Sequence, residues 1–142
     1  MREEQGDIWK YAGSAVVVLT TNGSLTRSWQ AVPGCGVTKQ AVDRYPWLSE
    51  KLGMLIQIHG NHVFDLGGCL ASFPVEETAW SQPDLRIIAR SAKELRAVAD
   101  AAGWQQVIVP RPGCGGGGLL WKDVGPLLEP WFDDRFTVIT NS

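Results

Sequence analysis

The sequence lacks any long apolar run. No stretch reaches the roughly 18–20 consecutive apolar residues that a membrane-spanning helix needs. The first ten residues, Met1 to Lys10, are polar and acidic, whereas a secretory signal is basic and then apolar. We therefore expect no membrane partner and a cytoplasmic location.

A strong charge of one sign is also absent. The 13 Lys and Arg residues nearly balance the 15 Asp and Glu residues, which gives a net charge of -2. Such a balance argues against a protein that binds nucleic acid through a broad basic face, but it does not exclude a local basic pocket. A length of 142 residues suits one hydrophobic core, so we expect a single domain over residues 1–142.

Cysteine and histidine are scarce. The three cysteines, Cys35, Cys69 and Cys114, form no Cys-x-x-Cys pair and have no histidine at ligand spacing, which excludes a recognisable zinc site or disulfide framework. His59 and His62 flank a predicted turn and do not share a helix face. We expect reduced thiols, no metal and no cofactor.

Strand and helix signals alternate along the chain. Ser14 to Thr21 is a continuous β-branched run, typical of a strand buried on both faces. Further predicted strands are Leu55–Ile58 and His62–Leu66, joined by a Gly60-Asn61 hairpin, then Cys69–Phe73, Gln106–Val109 and Phe136–Thr140.

The predicted helices lie between these strands. They are Val37–Tyr45, broken at Pro46, then Ser91–Gly103 with a Ser91/Glu94 capping box, and Trp121 to about Phe132, with Pro126 in its first turn and Pro130 near its end. This alternation predicts an α/β sheet covered on both faces.

The most informative segment is the glycine loop Gly113 to Gly118. Five glycines in six residues carry a large entropic cost unless the backbone must approach something closely. Because the loop follows a strand and precedes a helix, its N–H groups are suited to bind an anion such as phosphate. A flexible turn is the plain alternative. The spacing also fits the Gly-x-Gly-x-x-Gly dinucleotide fingerprint, with Asp133 and Asp134 downstream.

A second glycine loop, Pro33 to Val37, follows the first predicted strand and precedes a helix. If the two preceding strands are neighbours, both loops flank one crevice at the carboxyl edge of the sheet. Two such loops favour a ligand with a diphosphate and two organic ends.

These segments together resemble the macro domain family. The resemblance rests on Gly6-Asp7-Ile8, on Thr21-Asn22-Gly23, on Gly34 to Val37, and on Pro110 to Gly115 leading to Leu119 and Trp121. The last pattern is most similar to the subgroup of terminal ADP-ribose glycohydrolases with bacterial and phage relatives. The resemblance implies a three-layer α/β/α fold with a mixed sheet of about six strands, and ADP-ribose as ligand.

The resemblance also implies residue roles. Asp7 would accept a hydrogen bond from the adenine amino group, Ile8 would line the adenine pocket, and Asn22 would lie near the distal ribose. Thr21, the residue before Asn22, would also bind the ligand. The diphosphate would be wrapped by two sets of residues: Gly34, Cys35, Gly36 and Val37, and Gly113, Cys114, Gly115, Gly116, Gly117 and Gly118. Arg111 would either bind a phosphate or form an ion pair with an acidic residue, and the sequence does not distinguish between these two roles. Trp80 or Phe73 could stack on the ligand.

The catalytic residues depart from the family pattern. Lys39 is the lysine nearest the first glycine loop, closer to it than the family lysine, and it could attack the anomeric carbon through a Schiff base or be a solvated or phosphate-contacting lysine. Gly117 stands where the family has a second-loop acid. Spacing singles out no general base among the acids Asp65, Glu76, Glu77 and Asp123.

Three functions follow as hypotheses. The first is a hydrolase that removes ADP-ribose from a modified protein or nucleic acid, or that processes a free ADP-ribose derivative, with Lys39 as its catalytic residue. The second is a non-catalytic reader or sequestering module, favoured by Gly117. The third is a protein that uses a nicotinamide cofactor, and the oligomeric state stays open.

Overall fold

A computed structural model describes residues 1–34 and 36–140, so the predicted site residue Cys35 lies outside the described residues. Within these ranges the chain forms one six-stranded sheet in the order β1-β6-β5-β2-β4-β3. The strands are β1 (Arg2–Gln5), β2 (Val16–Thr21), β3 (Asp65–Gly67), β4 (Leu70–Pro74), β5 (Val107–Pro110) and β6 (Phe136–Thr140). β3 pairs antiparallel with β4, and all other pairs are parallel. The carboxyl ends of five strands therefore meet at one edge, and the predicted mixed sheet is confirmed.

Helices cover both faces of this sheet. They are α1 (Val37–Arg44), α2 (Leu48–His59), α3 (Leu85–Ala102) and α4 (Trp121–Leu128), with a short 3-10 helix at Ile8–Tyr11. Val16 and Val18 of β2 pack in the core with α3 and α4. Val17 and Leu19 pack in a second core with α1, α2 and the 3-10 helix. The predicted α/β/α layering is confirmed. The predicted strand is buried from both sides over residues 15–19 because β2 is central, whereas Ser14 is exposed and lies before the strand.

The predicted strand Leu55–Ile58 and its Gly60-Asn61 hairpin are wrong. These residues belong to α2 or follow it, and Leu48, Leu52 and Ile56 form one buried helical face. A methyl group added at Gly53 would lie 2.1 Å from the Trp29 carbonyl, because the preceding loop packs directly on this helix. The actual hairpin joins β3 to β4, so the predicted strand His62–Leu66 is shifted toward Gly67.

The predicted start of the Ser91–Gly103 helix is also wrong, whereas its end is correct. α3 begins six residues earlier, where the Asp84 carboxylate accepts a hydrogen bond of 2.8 Å from Arg86 N. Ser91 is buried inside α3 and donates to the Pro74 carbonyl at 2.6 Å, and Glu94 accepts from Val63 N at 3.0 Å. Both side chains stabilise tertiary contacts and do not form a capping box. Gly103 ends the helix in the left-handed conformation.

Two smaller differences concern the ends of the chain. β1 was not predicted, because all four of its residues are exposed and polar. α4 ends at Leu128, before Pro130, but Pro126 lies inside this helix and not in its first turn. None of the helices in the described ranges is long and apolar enough to cross a bilayer.

Candidate functional site

A cleft of about 800 Å³ opens at the carboxyl edge of the sheet. Residues at or just beyond the ends of four parallel strands, β2, β4, β5 and β6, line it. Ligands of open α/β sheets bind at this edge, and the volume lies within the usual range for small-molecule sites. β2 and β5 are direct neighbours, so the two glycine loops that follow them flank the same cleft, as expected.

The first glycine loop forms one wall. Gly34 and Gly36 adopt positive φ values of 71° and 67°, and both line the cleft together with Val37. Gly36 caps the N-terminus of α1. The buried Thr38 hydroxyl donates a hydrogen bond of 2.5 Å to the Thr20 carbonyl, which fixes the start of α1 against the end of β2. The first turn of α1 thus presents backbone N–H groups toward the cleft edge.

The second glycine loop forms the opposite wall, and Gly113 to Gly117 all line the cleft. The Gly113 carbonyl accepts a hydrogen bond of 2.9 Å from Leu119 N, which closes the loop on itself. Gly118 is not among the lining residues, and α4 begins only at Trp121. Two residues therefore separate the last glycine from the helix, and the predicted start of this helix at Trp121 is correct.

Gly117 has no room for a side chain. A Cβ at this position would lie 2.6 Å from the Gly113 carbonyl oxygen and 2.7 Å from Cγ of Pro83, which is closer than real Cβ contacts. The absence of an acid here is therefore a packing requirement of this loop. A carboxylate for chemistry in the cleft would have to come from another element.

Arg111 is the basic side chain of the cleft in the described part of the chain. Its guanidinium lies 4.7 Å from the centre of the Trp121 ring, and Nη2 lies 3.8 Å from the Glu3 carboxylate. Its buried Nε has no hydrogen-bond partner among the described residues. Arg111 thus lies near the Glu3 carboxylate while it lines the cleft, and contact with a phosphate stays a prediction.

Asn22 ties the end of β2 to the first glycine loop. It is only 3% exposed, and its Nδ2 donates to the Val32 carbonyl at 3.1 Å. Its Oδ1 accepts from Ser24 N at 2.9 Å. Both Thr21 and Asn22 line the cleft. The amide oxygen and nitrogen retain further hydrogen-bonding capacity, but their observed bonds position the loop.

Of three other predicted site residues, one lines the cleft and two do not. Ile8 is buried and lines the cleft, whereas Asp7 does not line it. The Asp7 carboxylate instead caps the 3-10 helix by accepting a hydrogen bond of 3.0 Å from Trp9 N. Lys39 is exposed in the first turn of α1 and is not a lining residue.

The segment from Glu76 to Pro83 forms the rim of the cleft. Ala79, Ser81, Gln82 and Pro83 line it, while Trp80 is 83% exposed beside them. Thr78 and Ser81 hydrogen-bond to each other, and Ala79 N donates to Ser24 Oγ at 2.9 Å, so the rim has a defined shape. Phe73 is fully buried in the core, which leaves Trp80 as the candidate for stacking.

Among residues 1–34 and 36–140, no group of three or more His, Cys, Asp or Glu side chains could hold a metal ion. His62 instead lies 3.0 Å from the Glu94 carboxylate.

Several residues that line the cleft were not predicted from the sequence, namely Val75, Glu76, Pro83, Leu120, Ile139 and Thr140. The signal that could have found some of them is their position just after a predicted strand.

The sheet, its layers and a cleft between two glycine loops define an α/β/α protein with a site suited to a phosphorylated ligand. The solved structures to which it is similar include several macrodomains. The macrodomain of Mycobacterium tuberculosis DarG superposes with a TM-score of 0.79 at 24% identity, over 96% of this chain and 95% of that chain. The macrodomain of Thermus aquaticus DarG gives a TM-score of 0.78 at 18% identity, over 99% and 97%.

A third structure is Thermosipho africanus DarTG in complex with ADP-ribose, with a TM-score of 0.74 at 16% identity, over 100% of this chain and 42% of that chain. No protein-family model matches the sequence, and no curated protein matches it significantly. The predicted macrodomain fold is confirmed by these structures.

Proposed function

We propose that this protein binds ADP-ribose in the cleft and hydrolyses ADP-ribosyl linkages on a modified protein or nucleic acid, or on a free ADP-ribose derivative. The observation that carries the proposal is the pair of glycine loops on neighbouring strands, facing each other across one cleft. The similarity to a DarTG structure in complex with ADP-ribose supports the same ligand. A cytoplasmic location is part of the proposal.

A diphosphate suits the chemistry of the cleft walls. Backbone N–H groups of the two loops would bind phosphate oxygens from two sides. The Arg111 guanidinium at the cleft wall would add a positively charged donor for the same phosphate oxygens. These groups explain why the loops are rich in glycine: the backbone itself approaches the ligand.

The two organic ends of ADP-ribose would occupy opposite sides of the diphosphate. Ile8 offers an apolar surface for the adenine, and Asp7 at the next position would accept a hydrogen bond from its amino group with the carboxylate capacity left after capping. Thr21 and Asn22 would lie near the distal ribose. Trp80 on the rim would cover the ligand from the solvent side.

Lys39 is the proposed nucleophile of an alternative two-step route, in which a covalent lysine adduct at the anomeric carbon forms first and water then releases the ADP-ribose. In the structure its side chain is exposed and outside the cleft lining, so reaching the anomeric carbon requires the long, flexible side chain to turn inward. Lys39→Ala is expected to reduce turnover while binding of ADP-ribose stays intact. Lys51→Ala on α2 serves as the matched control, since Lys51 is also exposed and does not line the cleft.

A non-catalytic reader is the second candidate, and Gly117 favours it. A loop that cannot hold an acid at this position lacks one of the two groups that the family uses for hydrolysis. Turnover separates the two candidates: release of ADP-ribose by the unmodified protein supports the enzyme, and binding without release on every linkage tested supports the reader.

A nicotinamide-cofactor protein is less well supported. The sheet order β1-β6-β5-β2-β4-β3 is not that of the doubly wound dinucleotide fold, and its glycine loop stops short of α4. Tight NAD binding with weak ADP-ribose binding would nevertheless favour it.

Calorimetric titration with ADP-ribose, with AMP and NAD as comparisons, tests the ligand. We expect ADP-ribose to bind at micromolar concentration, about -8 kcal/mol, with AMP and NAD much weaker. No detectable binding of ADP-ribose would overturn the proposal. The Arg111 variants described in the Discussion test whether binding occurs in this cleft.

A further inference from the structure

One acidic residue lines the cleft in the described part of the chain. Of the acids that spacing did not separate, Asp65 lies on the edge strand β3 and Asp123 on α4, and neither lines the cleft. Glu77 is exposed to solvent. Glu76 is the acidic side chain among the cleft-lining residues in the part of the chain that the structure describes.

The backbone around Glu76 is fixed on both sides. Val75 N donates to the Thr21 carbonyl at 3.0 Å, and the Glu77 carbonyl accepts from Gly23 N at 3.0 Å. The Glu76 carbonyl itself accepts from Asn61 Nδ2 at 2.9 Å.

Gly23 allows this close approach. A Cβ at Gly23 would lie 2.9 Å from the Glu77 carbonyl oxygen and 3.1 Å from Cβ of Asn61. The segment that carries Glu76 is thereby held against the end of β2, beside Asn22. This places Glu76 at the side of the cleft where the proposed function puts the distal ribose.

The local environment suits proton transfer. Glu76 is half-buried, and burial raises the pKa of its carboxyl above the ordinary value, which makes the ionised form a stronger base. Within the described residues its carboxylate oxygens accept no hydrogen bond from the protein, so they remain available to water or to the ligand. Its position also compensates for Gly117, where packing admits no side chain.

We propose that Glu76 is the general base of this site and activates the water that attacks the anomeric carbon of the distal ribose. This inference rests on the proposed ADP-ribosyl hydrolase function. The carboxylate takes one proton from the water, whose oxygen forms the new bond to the anomeric carbon. The bond from that carbon to the acceptor breaks, the acceptor leaves with the electron pair, and the proton passes from Glu76 to the acceptor or to solvent.

Glu76→Gln tests the inference, with Glu77→Gln as the matched control one residue away. The substrates are three ADP-ribosylated probes, linked through a peptide carboxylate, an oligonucleotide terminal phosphate and a nucleobase. We expect kcat to fall by about 100-fold or more in Glu76→Gln on the probe that the unmodified protein cleaves. The Kd for ADP-ribose should change little in either variant, and Glu77→Gln should keep its kcat.

A second variant separates base catalysis from a structural effect. In Glu76→Ala, added formate should restore part of the lost turnover, because a small carboxylate can enter the space left by the side chain. A merely structural role would not respond to formate. Partial activity in Glu76→Asp would agree with the same chemistry at a longer distance.

Each outcome has a defined meaning. An unchanged kcat in Glu76→Gln overturns the role of Glu76 and leaves the hydrolase proposal standing. An equal loss of kcat in Glu77→Gln also overturns the role of Glu76, because it would show that loss of any negative charge in this segment lowers turnover. No turnover of any probe by the unmodified protein overturns catalysis by Glu76, while ADP-ribose binding stands. Failure to bind ADP-ribose overturns the proposed function itself.

Discussion

Arg111 stacks over Trp121, with its guanidinium carbon 4.7 Å from the ring centre, and so spans the gap between the end of β5 and the start of α4. The indole Nε1 donates a hydrogen bond of 2.9 Å to Glu3, the same carboxylate that lies near Arg111 Nη2. The guanidinium is therefore held in a fixed plane at the cleft wall before any ligand arrives. Such preorganisation lowers the cost of ordering a side chain on binding.

Arg111→Ala should weaken ADP-ribose binding by about 10- to 100-fold, since a hydrogen bond to a charged group contributes about 1.5–3 kcal/mol. Arg111→Lys should recover only part of the loss, because an ammonium cannot stack or donate in the same plane. Calorimetric titration with ADP-ribose measures both.

Arg27→Ala provides the control, since Arg27 is exposed and is not among the cleft-lining residues. An unchanged Kd in Arg111→Ala would show that the Arg111 guanidinium does not meet the ligand.

Gly117→Asp should destabilise the protein and should not improve turnover. The added Cβ would lie 2.6 Å from the Gly113 carbonyl, and overpacking of this kind costs about 1–3 kcal/mol. Gly115→Ala is the matched control, because a Cβ there meets no atom within 4 Å. Urea unfolding measures both variants. A stability of Gly117→Asp equal to that of Gly115→Ala would contradict the packing argument.

Arg135 should stabilise the fold at neutral pH but not in acid. It donates to Asp100 Oδ1 at 2.6 Å and to Asp133 Oδ1 at 3.0 Å, and these hydrogen bonds hold the pKa of both carboxyls below the ordinary value of 3.8. A depressed pKa in the folded state adds stability above pH 3.8, which is lost as the pH falls through the folded pKa values.

Arg135→Met should therefore lower the free energy of unfolding at pH 7, and the pH-dependent part of the difference should disappear toward about pH 2. Urea unfolding over this pH range measures it, with Arg27→Met as the control. A difference that is constant with pH would mean that the lost contribution comes from packing on Phe136 and not from the ion pairs.

Cys114 should react with iodoacetamide more slowly than Cys69. Burial raises the pKa of the Cys114 thiol despite the opposing charge of Arg111, so little reactive thiolate is present at neutral pH. Cys69 is exposed, whereas Cys114 is half-buried in the cleft wall. Peptide mapping by mass spectrometry follows the two rates, and ADP-ribose should slow only the reaction of Cys114. Equal protection of both thiols would place the ligand elsewhere.

The sequence predicted the features that are encoded locally. The β-branched run ending at Thr21 could only be a central strand, since every residue from Val16 to Leu19 needs cover on both faces of the sheet. The two glycine loops were recognisable for the same reason: their composition is costly unless the backbone must approach another group. The strands β5 and β6 followed from similar apolar runs.

The missed elements depend on contacts between distant residues. The short apolar run from Leu55 to Ile58 is compatible with a strand or a helix, and packing of the loop at Trp29 on Gly53 decides for α2. β1 is polar throughout, so only its pairing with β6 reveals it. Spacing did not single out Glu76, because its place in the cleft depends on long-range hydrogen bonds: Val75 N donates to the Thr21 carbonyl, and Asn61 Nδ2 donates to the Glu76 carbonyl.

Because β2 and β5 are neighbours in the sheet, the ligand site forms only when these two strands have paired. The two loops that flank the cleft lie in opposite halves of the chain, so neither half can build the site alone. A ligand that binds only the finished sheet stabilises it by mass action, by about 2.7 kcal/mol at a concentration 100 times its Kd. A nucleotide in this cleft would thus contact both halves of the chain at once. A partly folded chain, in which the two loops are not yet adjacent, would not bind it.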